Sequence, residues 1–275
     1  MTSQERVFAT TLLYCPAIRP ERFSKALAAS EQIIVDLEDS VLPDDKNAAR
    51  RSVDEHFTDG SLTADRVIVR INGTGTEWYD ADVELCRRHG VTVMLPKAED
   101  PQQFRALAGL SVAAICETPL GVANAGAIAR EVNCVALHWG GEDLTAALGG
   151  RSSRRADGTY LPLVQYVRPH ILLAAGAAGK PAIDGAFVDL QNSDGLREET
   201  TDAVLMGYSS KIALHPKQIP VILDAFRPSA DELDWAVSLL AESAGHDGAF
   251  TFRGRMVDAP LLQQARSFVA AGGMP

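Results

Sequence analysis

Eight short apolar segments that alternate with helical patterns predict an α/β fold, a (β/α)8 TIM barrel with a C-terminal helical extension. The segments are apolar throughout, which is typical of parallel strands covered on both faces. A doubly wound open sheet is the alternative. However, no GxGxxG motif follows the first segment and the sequence contains no GxxxxGK[ST] motif. The sequence therefore lacks the phosphate-binding loops of nucleotide-binding open sheets, and the closed barrel is favoured.

The elements follow one another at regular intervals along the chain. Predicted strands lie at 8–15, 33–37, 66–71, 91–95, 111–116, 135–139, 181–183 and 210–214. Helices between them begin at Pro20, Pro43 and Pro162, because proline is favoured in the first helical turn. A further helix, from Glu77 to Arg88, ends before Gly90. Each strand is thus followed by a helical connection, as a parallel barrel requires.

The chain changes character near residue 228, so two parts are predicted. Residues 1–228 form the barrel and residues 229–275 form the extension, with one helix at 230–243 and another after Pro260. Because the extension follows the eighth unit, it must pack outside the barrel, over its mouth or on a neighbouring subunit. The residues alone leave these three arrangements open.

Composition excludes several functional classes. A formal net charge of -10 argues against a general nucleic-acid binder and against a protein of anionic membranes. No secretory signal and no long apolar run occur, so a cytoplasmic protein is expected. Four cysteines are separated widely and form no CxxC pair, which indicates buried reduced thiols rather than a zinc site: Cys15, Cys86, Cys116 and Cys134.

Charged side chains follow most of the predicted strands at their carboxyl ends. They are Asp36, Glu38, Arg70, Lys97, Glu117, Glu142, Asp143, Asp184 and His215. In a closed barrel these ends form a single face, where the active site lies. A pocket this charged needs a ligand or a metal ion to balance it.

Two acids in this set follow neighbouring strands. Glu117 and Asp143 supply oxygen donors and leave other coordination positions open, an arrangement that suits Mg²⁺. The alternative is that one of them pairs with Arg70 or Lys97. Arg70 itself could bind a substrate carboxylate or stabilise an enolate oxygen, with Asp36 or Glu38 as the acid that orients it.

The sequence resembles the citrate lyase β-subunit-like family of HpcH/HpaI-type aldolases and acyl-CoA lyases. The matching pieces occur in family order over almost the whole chain: YCP at 14–16, RPERF at 19–23, VDLED at 35–39, VRIN at 69–72, LPK at 95–97, ET at 117–118, GGEDL at 140–144, HP at 215–216 and GRMVD at 254–258. The loop at 151–160 is similar to that of stand-alone members rather than to a subunit of the three-component enzyme.

The resemblance implies a homo-oligomer, a trimer or hexamer, in which the extension at 229–275 packs at the subunit interface. It implies Mg²⁺ on Glu117 and Asp143, and Arg70 at the substrate carbonyl or carboxylate. It also implies that Asp258 enters a neighbour's site as acid/base, although Asp258 could instead cap the helix that begins near Pro260. Arg19 is implied as a contact of the coenzyme A phosphates.

Within GGEDL, the four residues at 140–143 then take separate roles. Asp143 is the expected metal ligand, and Glu142 is expected to place its backbone N–H against the substrate carboxylate. Gly140 and Gly141 lack a Cβ, which lets the substrate approach the backbone closely.

The implied activity is a Mg²⁺-dependent cleavage of a carboxylated 3-hydroxyacyl-CoA to acetyl-CoA and an oxo acid such as pyruvate. Candidate substrates are citramalyl-CoA, malyl-CoA and 3-hydroxy-3-methylglutaryl-CoA. Two alternatives remain open: a CoA-independent class II aldolase acting on hydroxy-oxo acids, and a citrate lyase β-type subunit of a larger complex.

Overall fold

A computed structural model describes residues 8–272 and contains a closed barrel of eight parallel strands. The strands pair in chain order, and the eighth closes the barrel against the first. Their bounds are β1 Thr11–Pro16, β2 Gln32–Asp36, β3 Val67–Arg70, β4 Thr92–Leu95, β5 Val112–Cys116, β6 Cys134–Trp139, β7 Ala182–Asp184 and β8 Ser210–Ala213. The predicted (β/α)8 fold is confirmed, and most strand bounds differ from the prediction by one residue.

Helices connect the strands on the outside of the barrel. They are α1 Phe23–Ala29, α2 Lys46–Thr58, α3 Tyr79–His89, α4 Pro101–Ala106, α5 Pro119–Ala129, α6 Gly141–Ala147, α7 Pro162–Ala177, α8 Ser193–Met206 and α9 Gln218–Phe226. Short 3-10 turns precede α1 and α2 at Pro20 and Pro43. Gly90 ends α3 in the left-handed conformation, with φ of 62°, as its position in the sequence predicts.

The barrel interior is filled by inward-facing side chains from alternate strand positions. The buried cluster consists of Phe8, Leu12, Ile34, Ile68, Met94, Ala113, Ile115, Ala136, Ile183 and Ile212. Burial of each large aliphatic side chain is worth roughly 1.5–3 kcal/mol. This packing makes the strands a rigid support for whatever side chains project from their carboxyl ends.

A second compact unit follows the barrel, and the division falls after Ile222. It contains α10 Ala230–Ser243, the hairpin strands β9 Phe250–Phe252 and β10 Arg255–Val257, and α11 Ala259–Ala271. Its core includes Ala236, Leu239 and Val257. The hairpin turns at Arg253 and Gly254, both with positive φ, which suits the twist of a two-residue hairpin. The two helices of the extension follow the prediction, whereas the hairpin was not predicted.

The structure also bears on the cysteines and on membrane-spanning helices. All four cysteines are buried and free, as predicted. Across residues 8–272, no helix combines the length and the apolar character needed to cross a membrane.

Candidate active site

A cavity of about 420 Å³ opens at the carboxyl ends of the barrel strands. Its walls bring together residues from seven of the eight strand ends and from the loop before α7. They include Tyr14, Asp36, Arg70, Glu117, His138, Trp139, Gly140, Gly141, Glu142, Asp143, Tyr160, Val188 and Leu214. Most of the predicted site residues therefore converge on one cavity.

Arg70 is held rigidly at the end of β3. Its Nε and Nη2 donate to the two carboxylate oxygens of Asp36 at 2.7 and 2.8 Å. The strand register places these two residues side by side on β2 and β3. Burial alone would raise the pKa of Asp36, but the bidentate contact with Arg70 lowers it below its usual value. Asp36 therefore stays ionised and orients the guanidinium, whose plane lies over the Tyr14 ring at 4.8 Å.

Glu38 lies between two cations. Its Oε2 is 3.0 Å from Nη1 of Arg70, and its Oε1 accepts a short hydrogen bond from Nζ of Lys97. Burial raises the pKa of this carboxyl, and the two cations oppose that effect. The predicted role of Asp36 and Glu38 as partners of Arg70 agrees with these contacts, and any direct part in the chemistry stays a prediction.

Glu117 is a buried carboxyl that directly follows β5 and is only 3% exposed. Burial, and next the charge of Asp143, raise its pKa to about 8. The cations nearest to it are committed elsewhere, because Arg70 pairs with Asp36 and Lys97 pairs with Glu38. The alternative in which Glu117 is neutralised by one of these cations is therefore not the arrangement in this structure.

The chemistry of this pair of acids fits a divalent cation. Glu117 uses Oε1 to accept the backbone N–H of Lys97 at 2.9 Å, while Oε2 faces Gly140. A Cβ on residue 140 would lie 2.8 Å from that oxygen, so glycine is what leaves room beside it. Within the described part of the chain, no group of three or more His, Cys, Asp or Glu could hold a metal ion. A site with two carboxylates and open positions suits Mg²⁺, which keeps waters or takes substrate oxygens.

The start of α6 carries the remaining GGED residues. Glu142 does not direct its carboxylate at the acids, because Oε1 accepts a hydrogen bond from the Ser153 hydroxyl in the loop before α7. The role of the Glu142 backbone N–H at the substrate carboxylate stays a prediction. A Cβ on Gly141 would make a tight contact of 3.1 Å with the Trp139 ring.

Three aromatic side chains form a wall of the same cavity, and no role for them was predicted from the sequence. Trp139 and Tyr160 meet edge to face with centroids 5.6 Å apart. Tyr14 completes the wall two residues after inward-facing Leu12, and that spacing of two along β1 was the available signal.

His138, near the end of β6, also lines the cavity. Its Nδ1 lies 3.1 Å from the Ile183 carbonyl oxygen, and because a carbonyl can only accept, Nδ1 carries the proton. Burial lowers the pKa of His138 to about 4. The ring is therefore neutral near pH 7 and adds no charge to the cavity.

Asp184 was expected in the charged pocket, but it belongs to a separate buried ion network. Its carboxylate accepts from Nζ of Lys211 at 2.6 Å and from the Arg168 guanidinium at 2.8 and 2.9 Å. Lys211 also donates to Glu199 at 3.1 Å. The charge of Asp184 is thus balanced within the protein, so this acid needs no ligand.

Several predicted residues of the barrel do not line this cavity: Arg19, Glu38, Lys97, Asp184 and His215. Arg19 is 59% exposed at its side chain, lies 3.9 Å from Glu21 and is absent from the cavity walls. Asp258 lies in the second unit, where it is the N-cap of α11 and accepts the Leu261 N–H at 3.5 Å. The cap that the sequence offered as an alternative is present, and the acid/base role of Asp258 stays a prediction.

The fold and the site together define a class: barrel enzymes with two carboxylates and a fixed arginine at the carboxyl ends of the strands. Residues 10–216 match the family HpcH/HpaI aldolase/citrate lyase. The chain belongs to this family, as the sequence resemblance implied.

Relatives of known name cover nearly the whole chain. A citrate lyase subunit beta-like protein of Mycobacterium tuberculosis is 45% identical over 262 residues, 95% of this chain and 94% of that protein. Mitochondrial citramalyl-CoA lyase of Homo sapiens is 30% identical over 289 residues, 94% of this chain and 84% of that enzyme. A crystal structure of CitE from M. tuberculosis with magnesium, acetoacetate and coenzyme A has a TM-score of 0.90 at 44% identity, covering 96% of this chain and 98% of that one.

Proposed function

We propose that this chain is a Mg²⁺-dependent acyl-CoA lyase that cleaves a carbon–carbon bond of a carboxylated 3-hydroxyacyl-CoA. The observation that carries the proposal is the buried carboxyl of Glu117 beside Asp143, without an ion-pair partner, in the same cavity as the fixed guanidinium of Arg70. Relatives support the chemistry: one is named citramalyl-CoA lyase, and CitE structures hold magnesium with pyruvate or with acetoacetate and coenzyme A. Citramalyl-CoA, malyl-CoA and 3-hydroxy-3-methylglutaryl-CoA are the candidate substrates.

The reaction balances without a redox partner. The substrate hydroxyl loses its proton to a base, and its C–O bond becomes the carbonyl of the oxo acid. The electron pair of the broken carbon–carbon bond enters the thioester enolate, which takes up a proton to give acetyl-CoA. Mg²⁺, when bound to Glu117 and Asp143, supplies positive charge to the carboxylate and hydroxyl oxygens of the substrate.

The residues of the chain supply orientation and charge. Arg70 presents a guanidinium fixed by Asp36, so it can stabilise developing oxyanion charge without reorganising. Gly140 and Gly141 leave the backbone open, and the N–H of Glu142 is proposed to bind the substrate carboxylate. Asp258 of a neighbouring subunit is proposed as the group that transfers the proton.

Assembly, location and coenzyme contacts complete the proposal. An acid that enters a neighbour's site requires a homo-oligomer, and a trimer or hexamer is proposed. The chain is proposed to act in the cytoplasm. Arg19 is proposed to bind the phosphates of coenzyme A, and its exposed side chain is available to do so.

The test is a screen of acyl-CoA thioesters with Mg²⁺ that measures the released oxo acid. Asp143→Asn should lower turnover at least about 100-fold, the scale on which loss of a key electrostatic group acts. Asp157→Asn, in the exposed loop before α7, is the matched control and should turn over at the wild-type rate. Full activity of metal-stripped enzyme in EDTA would refute the proposal.

Two further comparisons separate the alternatives. Faster cleavage of the free hydroxy acid than of its thioester would identify a CoA-independent aldolase. Failure of the purified chain to cleave any thioester by itself would favour a subunit that needs a larger complex.

A further inference from the structure

Lys97 has a backbone conformation that L side chains rarely adopt. Its φ is 48°, and within residues 8–272 only Arg253, in the hairpin turn, is another non-glycine residue with positive φ. Lys97 follows β4 at the mouth of the barrel, two residues after Leu95. Such strain persists only where the surroundings enforce it, and it is common at functional sites.

Neighbouring contacts hold the Lys97 backbone in this conformation and direct its N–H at Glu117. The next residue is fixed on both sides, since the Ala98 N–H donates to the Ile115 carbonyl at 3.0 Å. The Ala98 carbonyl oxygen would lie 2.3 Å from a Cβ on Gly121, so α5 packs directly against this turn. In this conformation the Lys97 N–H points at Glu117 and donates to Oε1 at 2.9 Å.

The side chain of Lys97 extends toward Glu38, the acid that flanks Arg70. Its ammonium pairs with Oε1 of Glu38, whose Oε2 lies 3.0 Å from Nη1 of Arg70. One residue therefore contacts both the candidate metal ligand and the acid that flanks the arginine. The ammonium is not sealed in the core: the side chain is 45% exposed and lines a neighbouring cavity of about 580 Å³.

The contact between the Lys97 ammonium and Glu38 matters because of the charges around Arg70. Three carboxylates lie within ion-pair distance of the guanidinium: Asp36, Glu38 and Asp39. Together with Arg70 they carry a net charge of -2, and Lys97 reduces it to -1. Without Lys97, a carboxylate substrate would approach an arginine whose positive charge is largely offset by its own partners.

We propose that Lys97 is a positioning residue with two separable functions: its backbone N–H orients Glu117, and its ammonium neutralises Glu38 so that Arg70 stays available to the anionic substrate. The inference deepens the proposed function and rests on it. It predicts that removal of the ammonium weakens binding of the anionic substrate but does not weaken binding of Mg²⁺.

The test of the side chain is Lys97→Met, measured by calorimetry with Mg²⁺ alone and with pyruvate added to the Mg²⁺-loaded protein. Removal of a cation near Glu117 should leave Mg²⁺ binding unchanged or tighter, whereas pyruvate binding should weaken about tenfold. In turnover, KM for the acyl-CoA should rise and kcat should fall, and Lys97→Arg should restore most of both. Lys180→Met, at the opposite end of the barrel before β7, is the matched control and should bind both ligands like wild type.

Each outcome decides the inference. Weaker binding of both ligands by Lys97→Met would show general damage to the site, and unchanged pyruvate binding would show that Arg70 does not depend on the ammonium; either result overturns the proposal. If wild-type protein cleaves no thioester while these binding shifts occur, the proposed function fails and the positioning role stands.

The backbone function has its own test. Glycine adopts positive φ freely, so Lys97→Gly should melt a few degrees above Lys97→Ala, since both lack the ammonium and differ in backbone strain. A lower melting temperature for the glycine variant would show that residue 97 does not hold this conformation in solution. That result would also refute the proposal that the backbone N–H of residue 97 orients Glu117.

Discussion

Replacement of Glu117 by glutamine should stabilise the metal-free protein while it abolishes the effect of Mg²⁺. Burial and the neighbouring charge of Asp143 raise the pKa of Glu117 from 4.5 to about 8. Between these pH values the folded protein binds a proton that the unfolded chain has already lost. A carboxyl with a raised pKa therefore makes the fold less stable as pH increases.

The magnitude follows from the pKa of Glu117. At pH 7 the cost of this carboxyl is about 3 kcal/mol, and at pH 5.5 it is about 1 kcal/mol. Glutamine has the same shape, carries no charge and can still accept the Lys97 N–H. For a chain of this length, 3 kcal/mol corresponds to a rise in melting temperature of about 5 °C.

The assay is thermal and urea unfolding of metal-free wild type and Glu117→Gln at pH 5.5, 7 and 8, each with and without Mg²⁺. The advantage of the variant should grow with pH, and Mg²⁺ should stabilise only the wild type. Glu55→Gln, on the exposed side of α2, controls for loss of a surface charge and should change little. A stability difference that does not vary with pH, or a variant less stable than wild type at pH 8, would refute the picture of a buried, unbalanced carboxyl.

Two substitutions test other contacts. Gly140→Ala would bring a Cβ to 2.8 Å from the Glu117 carboxylate, so calorimetry should show at least about tenfold weaker Mg²⁺ binding with little loss of fold by circular dichroism. Asp184→Asn removes the carboxylate that Lys211 and Arg168 share and leaves Glu199 as the remaining acid paired with Lys211, so urea unfolding should show a loss of about 3–5 kcal/mol. Because these cations hold the pKa of Asp184 below its usual value despite burial, wild type should lose this stability as pH falls below about 4, and the asparagine variant should lose less over that range.

The fold and the two acids could be predicted because their signals are local. Strand periodicity depends on neighbours in sequence, and a parallel barrel places every strand end on one face, so Glu117 and Asp143 had to be near each other. The family resemblance then separated them from the other acids at strand ends.

The partners of charged groups could not be predicted in the same way. Asp184 resembles an active-site acid in sequence, and only the fold shows that Arg168, from α7, reaches its carboxylate. The left-handed backbone of Lys97 is equally invisible in sequence, since positive φ is normally a property of glycine. These features arise from contacts between segments far apart in the chain.

The buried ion network has a consequence for anyone who wishes to change which acyl group the enzyme accepts. Trp139, the largest part of the aromatic wall, donates its indole N–H to Asp184 at 3.2 Å, and its ring fills the space where Gly185 would carry a side chain. A smaller residue at 139 would leave Asp184 short of a donor as well as open a void. Libraries for altered specificity are better directed at Val188 and Leu214, which line the same cavity and are 48% and 38% exposed.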